Sequence, residues 1–155
     1  MGVAWVALCL ALSLHVADEA LSGFLAVYNP TVLALRHEMP WLPLPIFRFE
    51  AWLAGLILAS LLMFSLSVFV FRGARWIRPI AYAFALIMVL NGLGHALATV
   101  FGRTVRSVRI PGAAPGFYSS PLLLAAAIWL LVELRRSAAS TSPAQSGRQA
   151  GRLGL

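Results

Sequence analysis

The sequence contains no lysine, a single cysteine and five acidic residues among its 155. The lone Cys9 excludes an internal disulfide and a cysteine metal cluster, and bulky Leu8 before it does not suit a lipoprotein cysteine. Charged residues make up only 11% of the chain, against 61% hydrophobic, and the mean hydropathy is +0.86. That balance excludes an ordinary soluble domain of this length and fits a polytopic membrane protein. The net charge of +7 rests on arginine alone. In a soluble protein it would point to nucleic acid. Here the arginines fall between apolar runs or in the tail, where lipid headgroups and topology account for them. Nucleic acid is therefore not an expected partner. The N-terminus also lacks the basic start and the small, neutral cleavage region of a signal peptide, so the first helix is expected to be retained.

What is present is a set of long apolar runs. A helix over about 3–27, a second over 50–71, a third over 79–102 and a shorter fourth over 120–135 predict an all-α, four-transmembrane-helix bundle, because only helix satisfies the backbone inside lipid. "YNP" (Tyr28–Pro30) should end the first helix. The Pro/Trp-rich segment from Thr31 to Phe49 should lie along the membrane interface. Residues 1–136 would form one domain, and the polar tail 137–155 should be disordered. Ser120 followed by Pro121 reads as the N-terminal cap of the fourth helix. Tryptophans near the helix ends read as an aromatic belt. With four spans, seven arginines fall on the side of the termini and five on the other. This predicts a multi-pass protein of the plasma membrane with both termini cytoplasmic.

Against that background, "LHVADEALSG" (Leu14–Gly23) stands out. His15, Asp18 and Glu19 are spaced i, i+3 and i+4 on one helix face, and Ser22 continues it. An acid at mid-helix costs about 2.5–3.5 kcal/mol to insert, so such groups face a bundle interior or a wet cavity and pair there. The third helix offers partners in Asn91 and His95, one turn apart, with Thr99 extending the row. Counting depth from the cytoplasmic side brings both clusters together in the outer half of the bundle. Glu50 at the start of the second helix and "PGFYSS" (Pro115–Ser120) fall at the same level. Gly92, Gly94, Ala98 and Gly102 should allow another helix to approach.

This set supports three readings. His15, Glu19 and His95, with Asp18 and Glu50 as further donors, suit a divalent Zn, Fe or Mn ion with an open position that activates water or oxygen. Metal-free acid–base chemistry would instead use His15, Asp18, Glu19, Asn91 and His95 as catalytic groups, with one carboxyl kept protonated. A third role is a polar network that only fixes helix packing. His37 and Glu38 read as a solvated pair.

"HVADE", "NGLGHALAT" and "PGFYSSPLLL", in that order, resemble the HXXEE-domain family of small integral membrane proteins. The resemblance implies that His15 and Glu19 are motif residues and that His95 is the family's later histidine. Asp18 stands where the family has its first glutamate, so the carboxylate is retained one methylene shorter. The expected function is an intramembrane enzyme acting on a hydrophobic or lipid-like substrate. A proton-coupled transporter subunit and an accessory membrane protein are the alternatives. The lipid bilayer is the expected partner, together with a second copy of the chain as a homo-oligomer.

Overall fold

The computed structural model describes residues 1–139. It is built from helices α1 (Gly2–Leu21), α2 (Phe24–Glu38), α3 (Phe49–Ser65), α4 (Ser67–Phe71), α5 (Ile77–Phe101) and α6 (Ser120–Ala139), with a short antiparallel hairpin of β1 (Arg103–Val105) and β2 (Val108–Arg109) before α6. Three spans are long and apolar enough to cross a membrane: Gly2–Leu21, Phe49–Phe71 and Ile77–Phe101. The expected fourth span, α6, is not among them, because Glu133, Arg135 and Arg136 fall within its 20 residues. It packs as the bundle's fourth helix nonetheless. It lies between α1 and α5, while α3 and α4 lie against α1.

The core forms where these helices meet. Trp5, Leu8 and Leu12 of α1 face Leu123, Ala127 and Leu130 of α6 and Ile77, Ala81 and Phe84 of α5 within one buried cluster. Trp5 is fully buried and packs edge-on against Phe84 at 5.3 Å between ring centroids. Its indole N–H donates to the Met63 carbonyl at 3.0 Å, joining α1 to α3. It is a core residue and not part of the expected belt. Gly92 lets α6 approach α5, since a Cβ there would lie 2.7 Å from Leu124 Cγ. Gly94, expected to do the same, faces open space. Large apolar side chains such as Leu58, Leu61 and Leu90 point outward, as in a protein whose solvent is lipid.

The connection between the first two spans differs from expectation. The first helix stops at Leu21, and Gly23 makes the break in the left-handed region at φ 77°. Tyr28–Pro30 does not end a helix: Pro30 sits inside α2. The polar groups that suggested a turn are satisfied elsewhere. Asn29 Nδ2 donates to the Phe47 carbonyl at 2.9 Å and its Oδ1 accepts from the Phe47 N–H at 3.1 Å. The Tyr28 hydroxyl donates to the Pro45 carbonyl. These bonds hold the irregular, proline-rich stretch 42–48 against α2.

Two ends of the bundle can be told apart. At one, the Met1 amine lies 3.1 Å from the Glu133 carboxylate and the Arg78 guanidinium donates to the Leu134 carbonyl. At the other, α1 and α5 end and α6 begins. At the first end, α6 continues beyond Arg136 to Ala139. The rest of the tail expected to be disordered, 140–155, lies outside the described residues.

Candidate metal centre

The polar residues meet at the end where α1 and α5 finish. His15 and Glu19, one turn apart on α1, are both buried, at 1% and 3% exposure. From α5, His95 completes a group of three whose donor atoms all lie within 4.8 Å of one another. Glu19 Oε1 is 3.5 Å from His15 Nε2 and 3.0 Å from His95 Nε2. The imidazole rings meet edge to face with centroids 4.8 Å apart.

Asp18 faces the start of α6. Its Oδ2 accepts from the Ser119 backbone N–H at 2.9 Å and from the Ser119 hydroxyl at 2.8 Å. A carboxylate at a helix N-terminus is favoured by the free N–H groups and the helix dipole. Ser119 Oγ also lies 2.7 Å from His15 Nδ1. These contacts favour one histidine tautomer. An ionised Asp18 accepts from the Ser119 hydroxyl, which has the Gly116 carbonyl as a second acceptor at 3.2 Å, and the Ser119 oxygen is left to accept from His15 Nδ1–H. In that tautomer Nε2 carries the lone pair and faces the carboxylate of Glu19. Both His15 Nε2 and Glu19 Oε1 are fully buried without a hydrogen-bond partner. The nitrogen of His95 is within reach of Oε1, yet it is not aligned to donate to it. A buried pair of this kind is satisfied by a proton or by a metal ion between the two atoms.

The remaining wall is the loop 110–119. Thr99 on α5 donates its hydroxyl to the His95 carbonyl and accepts the Ala114 N–H, each at 2.9 Å. On the α1 side, Ser22 donates to the Asp18 carbonyl and accepts the Gly116 N–H at 3.3 Å. Held from both sides, Gly116 closes over the His15, Glu19 and His95 side chains. It adopts φ 80°, and a Cβ there would fall 2.9 Å from His15 Cε1, 3.0 Å from Glu19 Cγ and 3.0 Å from His95 Cε1. Only glycine fits both the backbone and the space.

Comparison with protein-family models, curated proteins and solved structures finds no match to this chain. The site therefore stands on its own geometry. Of the residues singled out in the sequence, His15, Glu19 and His95 converge, and Asp18 adjoins them through Ser119. Asn91 lines a cleft beside His95 with its Oδ1 buried and unpartnered. Glu50 does not join the group; it is exposed at the start of α3, 3.9 Å from Arg48. His37 is exposed in the last turn of α2. Ser120 does not act as the expected cap. Its hydroxyl donates back to the Gly116 carbonyl at 2.7 Å. The neighbouring Ser119, together with Gly116, makes the contacts that matter. The signal for both lay in "PGFYSS": a glycine and paired serines where a basic loop meets a helix start.

Proposed function

We propose that the protein is a small intramembrane metalloenzyme that hydrolyses an acyl ester or amide of a hydrophobic, lipid-like substrate. His15, Glu19 and His95 hold one divalent cation, while Asp18 and Ser119 orient His15. The observation that carries this reading is the pair of buried, unpartnered acceptors, His15 Nε2 and Glu19 Oε1, facing each other with His95 Nε2 beside them.

A proton fits that gap less well than a metal ion. A charge-assisted N–H···O bond contracts to about 2.7–2.9 Å on a straight line, whereas these atoms stand at 3.5 and 3.0 Å without hydrogen-bond alignment. Ligands about 2.0–2.1 Å from a tetrahedral ion lie about 3.3 Å from each other, which the two separations from Glu19 bracket; the three donor atoms span up to 4.8 Å, so the imidazoles would draw together around the ion. Two imidazoles and one carboxylate with an open position form a donor set used by catalytic zinc. The same set also suits non-haem iron. Hydrolysis is favoured because it needs only water, whereas oxygen chemistry needs a reductant. A cation here would lower the pKa of bound water and polarise a carbonyl. With that help, the water oxygen would bond to the carbonyl carbon as the bond to the leaving oxygen or nitrogen breaks, and one proton of the water would pass to the leaving group, giving an acid and an alcohol or amine.

The arginine distribution, together with the Met1–Glu133 pair that puts the start of α1 and the far part of α6 at one end of the bundle, supports both termini being cytoplasmic. The ordered motifs support a place beside the HXXEE-domain proteins. Element analysis of detergent-purified protein tests the reading. About one divalent ion per chain is expected, and it should be lost in His15→Ala and in Glu19→Gln. Background metal in the wild type would overturn it.

A further inference from the structure

A cleft of about 260 Å³ opens beside the site between α2, α5 and the loop that precedes α6. Its walls are mainly apolar, among them Phe24, Val27, Leu90, Ala98 and Ile110. Leu90 is 71% exposed, so the cleft reaches the outward, lipid-facing surface of α5. Gly94 lies on its floor with nothing within 4 Å of a built Cβ. His95 lines the cleft, which joins it to the metal ligands.

The polar groups in this wall are mostly engaged. The hydroxyls of Thr31 and Thr104 bond to each other, and that of Tyr28 is held by the Pro45 carbonyl. Asn91 Oδ1 is buried and has no partner. A buried amide oxygen without a donor costs roughly 1–3 kcal/mol, and a ligand O–H or N–H would remove that cost. Asn91 and His95 are one helical turn apart, about 6 Å along the axis.

We propose that this cleft binds a single acyl chain whose small head carries a hydroxyl or amide N–H. That donor meets Asn91, about one helical turn from the carbonyl that the His95 end of the site receives. Acylglycerols and acylethanolamines have this chemistry. At about 30 Å³ per water-sized group, the cleft holds about nine such groups. That is enough for a head and the first part of one chain, with the remainder in the bilayer, and too little for two chains. The inference deepens the metalloenzyme reading and rests on it for the direction of the carbonyl. The binding itself can be tested separately.

The test uses a diazirine-bearing alkylglycerol ether, which cannot be hydrolysed, on full-length protein in detergent with metal first removed by chelation. Photolabelling should map to α2 around Phe24–Thr31 and to α5 around Leu90–Ala98. It should be displaced by 1-O-decylglycerol at least tenfold more readily than by 1-methoxydecane, which has no donor. Gly94→Leu projects a side chain into the cleft from a Cβ position that meets nothing within 4 Å, and it should cut labelling at least tenfold while metal content stays at the wild-type level. Asn91→Leu should abolish the preference for the hydroxylated competitor. Equal competition by the two ethers, or labelling unchanged in Gly94→Leu, would overturn the inference. Metal content is measured on every preparation before chelation. Retained labelling without any bound metal would overturn the metalloenzyme and leave this cleft standing, whereas bound metal without labelling would do the reverse.

Discussion

Replacing Gly116 by alanine tests the metal-centre geometry most directly. The single methyl group meets two independent penalties. A left-handed backbone at φ 80° costs a residue with a Cβ roughly 1–2 kcal/mol. The methyl would also sit 2.9–3.0 Å from His15 Cε1, Glu19 Cγ and His95 Cε1, where ordinary contact begins near 3.4 Å. Either the loop lifts or all three ligands retreat by about 0.4–0.5 Å, near the tolerance of a preorganised site, about 0.5 Å. Zinc affinity should therefore fall about 10–100-fold, as for disruption of groups that orient metal ligands. Chelator competition measures the affinity, and helical circular dichroism shows that the bundle persists. Gly55→Ala is the control, because a Cβ there meets nothing within 4 Å and alanine is favoured in a helix interior by about 0.8–1.0 kcal/mol. If Gly116→Ala and Gly55→Ala bind zinc equally well, Gly116 is not the lid of a metal site and the reasoning fails.

Three further outcomes are expected. Ser119→Ala removes the acceptor of His15 Nδ1–H and should weaken zinc binding about 10–100-fold in the same competition assay, although every direct ligand remains. Glu50→Gln should leave metal content unchanged and shift stability by no more than about 0.5 kcal/mol, since this side chain is exposed; a loss of metal would place it in the site after all. Asn29→Leu breaks both bonds to Phe47 and should release the stretch 42–48. Faster hydrogen exchange confined to that stretch and α2 would show this, at a cost of about 1–3 kcal/mol.

The apolar runs made the three long spans legible in the sequence, because lipid leaves a helix as the only spanning element. The i, i+4 spacing of His15 and Glu19 and depth counting along the chain were enough to bring His95 to them. The details lost were those set by contacts distant in sequence. Asn29 beside Pro30 looked like a turn because the partner of Asn29, the Phe47 backbone, lies 18 residues away. Trp5 looked like an interface residue until Met63 and Phe84 enclosed it. Ser120 matched a local capping rule, whereas Ser119 is used by Asp18, 101 residues away. Gly94 and Gly92 are identical in composition terms, and only the position of α6 separates a packing contact from the floor of a cleft.

That separation in sequence also bears on how the protein is made. His15, Asp18 and Glu19 on α1 are made before the groups they meet: His95 follows Glu19 by 76 residues and Ser119 follows Asp18 by 101. Until α5 and α6 arrive, α1 carries two carboxyl groups in a nascent span with none of these partners, each costing about 2.5–3.5 kcal/mol in lipid. Alone in lipid, α1 therefore carries this penalty until α5 and α6 have been made. Assembly of the site thus waits on α6, whose start brings Ser119 to Asp18.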